Sequence, residues 1–132
     1  MQNILFVCVG NSGRSQMAEA FFNHLMKGSR AISAGTEPAG SVDPIVAELM
    51  AEIGIDISHH KPKLVTTEMI ETADRVISMG CGVEESCSAN LMIIEDWGLD
   101  DPKGQARGEI AEIRDKIQNR VKKLLAEMSA EK

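Results

Sequence analysis

The chain has 132 residues, 43% of them hydrophobic, which corresponds to one domain (residues 1–132) with a single core. The formal net charge of −6 leaves no broad basic face, which argues against nucleic acid as a partner. The first eight residues hold a short apolar run without a basic leader, so we expect a cytoplasmic protein without a signal peptide or membrane span. Three cysteines in such a chain argue against a structural disulfide framework.

The first half of the chain alternates between strand and helix patterns. Residues 3–8 form an apolar run that predicts a strand, and from Ser15 the apolar residues take helical spacing. That spacing runs through Met17, Ala18, Phe21, Phe22 and Leu25. Residues 30–34 predict a second strand. A second helix is predicted at Pro44, after Asp43 or Ser41 as its cap. Its apolar face consists of Val46, Leu49, Met50 and Ile53.

The second half continues the alternation. Thr66 or Thr67 is expected to cap a short helix ending at Thr72, and residues 75–79 predict a third strand. Residues 80–90 show no sustained period, which indicates a loop or a weak helical turn, and residues 91–94 predict a last short strand. Residues 109–128 predict a long helix with the apolar stripe Ile110, Ile113, Ile117, Val121, Leu124 and Met128. We therefore expect an α/β fold, with three layers and a four-stranded, mainly parallel sheet flanked by helices.

The segment between the first strand and the first helix has the pattern of an anion cradle. We call it the oxyanion loop, and it consists of Cys8, Val9, Gly10, Asn11, Ser12, Gly13, Arg14 and Ser15. Such a strand-to-helix turn points backbone N–H groups at an anion, and Gly10 and Gly13 permit the positive φ values and the close approach that this ring of N–H groups requires. Arg14 adds a planar fork that matches two oxygens of a tetrahedral anion.

Cys8, at the carboxyl end of the first predicted strand, is the candidate nucleophile. The loop amides, the helix dipole and the hydroxyl of Ser15 or Ser12 would favour its thiolate. A cysteine followed six residues later by an arginine is weak evidence alone, but the strand, glycines and helix around it strengthen the functional interpretation. The alternative is that Cys8 is a buried core thiol and Arg14 a solvated residue.

Residues 8–19 closely resemble the active-site loop shared by low-molecular-weight protein tyrosine phosphatases and the arsenate reductases built on their fold. The continuation Ser15-Gln16-Met17-Ala18-Glu19 resembles the reductases, because the phosphatases usually carry proline after that serine. The resemblance extends through residues 32–36, 54–58 and 95–102. It implies a low-molecular-weight phosphatase-like fold and a cysteine enzyme.

Cys81 follows the third predicted strand, so it should emerge at the same sheet edge as Cys8. Cys87 lies six residues further on, a rise of about 9 Å in a rigid helix, so a disulfide between the two needs a turned or remodelled segment. The resemblance implies a relay from Cys8 to Cys81 and Cys87 that ends in a Cys81–Cys87 disulfide, as in thioredoxin-coupled arsenate reductases. Two incidental thiols, or a metal site completed by His59 and His60, are the alternatives.

Asp101 precedes Pro102 in a predicted loop at the same sheet edge. The resemblance makes Asp101 the proton donor to the departing oxygen, and general acid help is typically worth about 10²–10⁴ in rate. Asp100 competes for this role, and an Asp-Pro pair is by itself a common turn former.

The resemblance also implies a shell that supports the oxyanion loop. Asn11 would hold the loop backbone and His60 would lie near it, unless His60 is a half-exposed loop residue. Some reductases of this fold hold potassium with an Asn, a Glu, a Ser and an Asp. Asn11, Glu19 and Ser33 match, but Lys63 stands where the Asp would be, so we expect its ammonium to replace the ion. We expect no metal and no other cofactor.

The sequence therefore favours arsenate reduction by a three-cysteine relay, with arsenate or phosphate bound in the loop and thioredoxin or a similar dithiol protein as reductant. A phosphatase acting through a phosphocysteine is the first alternative, although Lys103 and Gly104 stand where those phosphatases have aromatic residues. A thiol-based metal or arsenite-binding module is the second. We expect a monomer that binds neither nucleic acid nor membrane.

Overall fold

Strands and helices alternate along the computed structural model, which describes residues 3–26, 30–79, 95–99 and 104–130. The strands are β1 (Asn3–Cys8), β2 (Arg30–Gly35), β3 (Arg75–Ser78) and β4 (Glu95–Asp96). The helices are α1 (Arg14–Leu25), α2 (Pro44–Ala51), α3 (Thr67–Thr72) and α4 (Arg107–Ala130). The predictions for residues 80–90 and 91–94 lie outside the described residues.

The four strands form one parallel sheet in the order β2-β1-β3-β4. The register pairs Cys8 with Gly35 and Val7 with Ser78. Parallel strands end at a common edge, so Cys8, Gly35 and Ser78 lie together where α/β sheets usually bind ligands. The predicted four-stranded parallel arrangement is confirmed.

β1 sends alternate side chains to opposite faces of the sheet, as the pleat requires. Ile4, Phe6 and Cys8 join the larger core, which includes the buried faces of α1, α2 and α4. Leu5 and Val7 join a smaller core with Ile70 of α3 and neighbouring residues. The sheet therefore separates two cores, where the sequence predicted a single one. Helices therefore cover both faces of the sheet, which gives the three predicted layers.

For both α2 and α3, one of the two predicted residues caps the start of the helix. The side chain of Asp43 accepts a hydrogen bond from the Ile45 N–H at 2.9 Å, so Asp43 caps α2. The side chain of Thr66 accepts from the Met69 N–H at 3.1 Å, so Thr66 caps α3.

Two apolar residues of the predicted helix patterns are exposed, Leu25 at 42% and Ile53 at 40%. Regular α2 ends at Ala51. In the turn that follows, the Ile55 N–H donates to the Met50 carbonyl and Gly54 has φ +85. Ile53 lies in this turn, beyond the buried face of the helix. Leu25 is the last residue of α1, at the edge of its packed layer. By contrast, the whole predicted stripe of α4 is buried. No helix in the described ranges is long and apolar enough to cross a membrane.

Candidate active site

The outer side of the oxyanion loop is held by backbone hydrogen bonds. The carbonyls of Cys8, Val9, Gly10 and Ser12 accept, respectively, from the N–H groups of Thr36, Glu37, Ala39 and Asp43, at 2.9 to 3.1 Å. The C=O and N–H of a trans peptide unit point in opposite directions, so the amides of residues 9–11 and 13 face the interior of the loop. The segment after β2 thus turns the loop into a ring of inward-pointing donors.

Cys8 lies at the base of this ring and is only 2% exposed. Its Sγ accepts a hydrogen bond from the Asn11 N–H at 3.1 Å and lies 2.9 Å from Oγ of Ser15. Because the Ser15 oxygen already accepts from Nδ2 of Asn11 at 2.7 Å, its proton is available to the sulfur. Of the two serines considered, Ser15 is the one in contact with the thiol.

Arg14 is buried, with 4% of its surface exposed. Its Nη1 donates to the Leu99 carbonyl at 2.9 Å, and the Leu99 N–H bonds the Met79 carbonyl at 2.7 Å. A guanidinium has five N–H donors, so the others remain available to an anion. The segment after β4 therefore anchors the guanidinium at the loop.

A cavity of about 450 Å³ opens over the loop. Its lining consists of Cys8, Val9, Gly10, Asn11, Ser12, Gly13, Arg14, Glu37, Ala39, Ser41, Asp43 and Pro44. Within the described part of the chain, this lining contains no aromatic ring that could stack on a phosphotyrosine. The cavity suits a small tetrahedral oxyanion held against Cys8 and Arg14.

The positive φ predicted at Gly10 and Gly13 lies instead at Asn11, with φ +51, while Gly13 has φ −142. Asparagine tolerates this left-handed region better than most residues. Its side-chain oxygen accepts from the Lys63 N–H at 3.0 Å and from Nε2 of Gln16 at 3.2 Å. Nε2 of Gln16 also bonds the Asn11 carbonyl, at 3.1 Å. These contacts fix both the side chain and the backbone of Asn11.

Three of the predicted supporting residues, Ser33, His60 and Lys63, meet around the carboxylate of a fourth, Glu19. Oγ of Ser33 donates to Oε1 of Glu19 at 3.0 Å, and Nζ of Lys63 lies 3.8 Å from the same oxygen. Nδ1 of His60 is 3.4 Å from Oε2 of Glu19 and 2.9 Å from Oε1 of Gln16. His60 thus reaches Asn11 through Gln16 rather than directly.

Burial lowers the pKa of His60 below its ordinary 6.5; His59 and Lys63 act in the same direction, while Glu19 and Asp56 oppose it. A histidine whose pKa is lower in the folded state than in the unfolded state adds to the free energy of unfolding at pH values above its unfolded pKa. This contribution is lost as the pH falls through the pKa of the folded state. We therefore expect acidification below about pH 6.5 to reduce the free energy of unfolding less in His60→Asn than in the wild type. Urea unfolding on both sides of that pH measures the difference. The exposed His24 of α1, which is not among the groups that act on His60, supplies His24→Asn as the control variant. Equal acid sensitivity of His60→Asn and the wild type would contradict the prediction.

Gly35 marks the closest approach of β2 to the loop. A Cβ at this position would lie 2.5 Å from the Val9 carbonyl oxygen and 3.0 Å from Cβ of Asn11. We expect Gly35→Ala to displace the loop and weaken the binding of inorganic phosphate, measured by calorimetry, by at least about tenfold. Gly40→Ala is the matched control, because a Cβ there meets nothing within 4 Å. Unchanged phosphate affinity in Gly35→Ala would show that the loop does not depend on this contact.

Comparison with known proteins agrees with this geometry. Residues 3–132 match the sequence profile of the low molecular weight phosphotyrosine protein phosphatases. The chain belongs to this family. A putative arsenate reductase of Halobacterium salinarum is 41% identical over 130 residues, which cover 94% of this chain and 91% of that protein.

Two solved structures show how the family fold is used elsewhere. The thioredoxin-dependent arsenate reductase of Corynebacterium glutamicum is 34% identical, with a TM-score of 0.84 over 100% of this chain and 64% of that one. The YwlE arginine phosphatase of Geobacillus stearothermophilus is 25% identical, with a TM-score of 0.89 over 99% of this chain and 95% of that one. The predicted low-molecular-weight phosphatase-like fold is confirmed.

The structure also shows contacts in the site of this phosphatase family member that the sequence did not predict. The sequence drew attention to Gln16 only as part of the segment that resembles the reductases, and no role was predicted for the Leu99 carbonyl. A glutamine that directly follows the oxyanion loop, in the first turn of the predicted helix, is the sequence signal that could have drawn attention to Gln16. The predicted Cys81, Cys87 and Asp101, with the competing Asp100, lie outside the described residues.

Proposed function

We propose that this protein reduces arsenate to arsenite with three cysteines acting in sequence. The observation that carries the proposal is the Cys8 sulfur beneath a ring of amides, in contact with the Ser15 hydroxyl and in the lining of the same cavity as Arg14. The similarity to a putative arsenate reductase and to a thioredoxin-dependent arsenate reductase supports the choice of substrate.

In the first step the loop amides and Arg14 hold the arsenate oxygens, and the Cys8 thiolate attacks arsenic. Hydrogen bonds from the Asn11 N–H and the Ser15 hydroxyl suit an anionic sulfur. A sulfur–arsenic bond forms, an arsenic–oxygen bond breaks, and the oxygen leaves as water after taking a proton, for which we propose Asp101 as donor.

The next steps move two electrons from sulfur to arsenic. The Cys81 thiolate attacks the Cys8 sulfur, the sulfur–arsenic bond breaks, and its electron pair stays on arsenic, which leaves as arsenite. Cys87 then attacks Cys81, which frees Cys8 and forms a Cys81–Cys87 disulfide. In sum, one arsenate and two thiols give one arsenite, one disulfide and one water.

Restoring the two thiols requires an external dithiol protein. We propose thioredoxin or a protein of similar chemistry, supported by the thioredoxin-dependent relative. A cycle that begins from free thiols works best in a reducing compartment, which supports a cytoplasmic location.

Anaerobic incubation of the reduced protein with arsenate, followed by thiol counting and peptide mapping, tests the relay. We expect two thiols to disappear, and one Cys81–Cys87 disulfide to form, for each arsenite released. Phosphate in place of arsenate is the control and should consume no thiol. Continuous arsenite formation without thiol loss, in the absence of another reductant, would reject the relay.

Hydrolysis of a phosphate ester is the second candidate, favoured by the match to the profile of the low molecular weight phosphotyrosine protein phosphatases. The same loop could form a phosphocysteine at Cys8, and this chemistry needs no second thiol. A Cys81→Ser/Cys87→Ser double variant separates the two functions, because it should lose arsenate turnover while keeping any ester hydrolysis. Full arsenate turnover in the double variant would reject the reductase mechanism.

Some reductases of this fold hold a potassium ion, and Lys63 stands where those proteins have an Asp ligand to the ion. Its ammonium lies 3.8 Å from Oε1 of Glu19, so the cluster supplies a positive charge where those proteins supply an oxygen ligand. These residues do not fit a potassium site, and we propose that Lys63 takes the place of the ion. We expect equal rates in potassium and sodium salts at constant ionic strength, whereas Lys63→Asp should make the rate depend on potassium. Strong potassium activation of the wild type would contradict this proposal.

A further inference from the structure

Gln16 is a polar residue in the first turn of α1, and it is 1% exposed. Its Nε2 lies 3.1 Å from the Asn11 carbonyl, 3.2 Å from Oδ1 of Asn11 and 3.4 Å from the Lys61 carbonyl. Its Oε1 lies 2.9 Å from Nδ1 of His60. A buried amide with partners on both of its atoms has one fixed orientation.

The Asn11 carbonyl is the position in the loop that the segment after β2 does not hold. That segment bonds the carbonyls of Cys8, Val9, Gly10 and Ser12, and the Gly13 carbonyl accepts from the Met17 N–H of α1. Gln16 supplies the remaining outward contact, at a residue whose backbone has the strained φ of +51.

We propose that Gln16 is a positioning residue for the oxyanion. By holding the Asn11 carbonyl outward, its side chain keeps the N–H of the same peptide unit, that of Ser12, facing a bound anion. His60 donates to Oε1 of Gln16 and thereby directs Nε2 towards Asn11. Loss of this contact lets the Asn11–Ser12 peptide rotate, which would turn a carbonyl oxygen towards the anion in place of a donor.

The inference rests on the proposed function only for the identity of the anion, so inorganic phosphate serves as the probe. Gln16→Met keeps the length of the side chain and removes its hydrogen bonds. We expect it to weaken phosphate binding, measured by calorimetry well below the melting temperature, by about tenfold or more. The rate of Cys8 alkylation should also change, measured in a background where Cys81 and Cys87 are serine.

Asn23 supplies the control, because its side-chain amide also joins α1 to a strand backbone but lies away from the loop. It bonds the carbonyl and the N–H of Ala31 at 2.9 and 2.8 Å. Asn23→Leu is expected to lower the melting temperature while leaving phosphate affinity unchanged. A merely structural role for Gln16 would give this same result.

His60→Leu provides a second variant at a partly exposed position, where folding is less at risk. We expect a smaller loss of phosphate affinity, about threefold, and no further loss when it is combined with Gln16→Met. Wild-type phosphate affinity in Gln16→Met overturns the proposal, and if that variant does not fold, wild-type affinity in His60→Leu does so. Failure of arsenate reduction with intact phosphate binding would reject the reductase function alone.

Discussion

Replacing Cys8 with serine is expected to lower the rate of arsenite formation by at least about 10⁴-fold, because it removes the sulfur that we propose bonds to arsenic. The sulfur is buried at the base of the ring, and a serine hydroxyl there is far less nucleophilic at neutral pH. The Asn11 N–H and the other inward amides remain in Cys8→Ser, so phosphate binding should persist. Arsenite formation with an excess of external dithiol reductant measures the effect.

A comparison with Cys87→Ser shows at which step each variant stops. Cys87→Ser retains the first two thiols of the relay, so it should release one arsenite and stop as a Cys8–Cys81 disulfide. Cys8→Ser should release none. Sustained arsenite formation by Cys8→Ser above about 1% of the wild-type rate would exclude Cys8 as the nucleophile.

The second large effect is expected at Arg14, where Arg14→Lys should lower kcat/KM for arsenate by about 10²–10³-fold. The guanidinium bonds the Leu99 carbonyl through Nη1 while presenting further donors to the loop. A lysine ammonium has no planar fork, so it cannot keep the Leu99 contact and bind two anion oxygens in the same geometry.

Arg107→Lys serves as the matched control for charge and side-chain type. Arg107 is an exposed residue of α4 whose guanidinium pairs with Glu48 and Glu52, away from the loop. We expect kcat/KM to stay within about twofold in this variant, since surface ion pairs contribute little. An equally small effect in Arg14→Lys would show that the anion does not depend on a bidentate contact.

The sequence predicted the parts of the site that follow from local chain geometry. An apolar run, a turn with two glycines and a helical period led to β1, the oxyanion loop and α1, because each depends on neighbouring residues. The six buried residues of α4 followed from the same periodicity. Periodicity fails where a helix stops, and Ile53 is exposed because regular helix α2 ends two residues earlier.

Contacts between distant segments could not be predicted in the same way. The bond from Arg14 to Leu99 ends on a backbone carbonyl, a group that every residue carries and that composition therefore does not reveal. Gln16 and His60 are 44 positions apart, and only the packing of α1 beside the segment after α2 brings them together. Family resemblance suggested that His60 supports Asn11, but not that a glutamine stands between them.

The outward carbonyl contacts of the loop have a consequence for selectivity. They are made within the protein itself, so we expect the cradle to need no ligand for its shape and to accept arsenate and phosphate, two tetrahedra of similar size, almost equally. The choice between them falls to sulfur chemistry, since arsenic(V) accepts an electron pair under these conditions and phosphorus(V) does not. Competition from phosphate would then determine how much of the protein is available to arsenate.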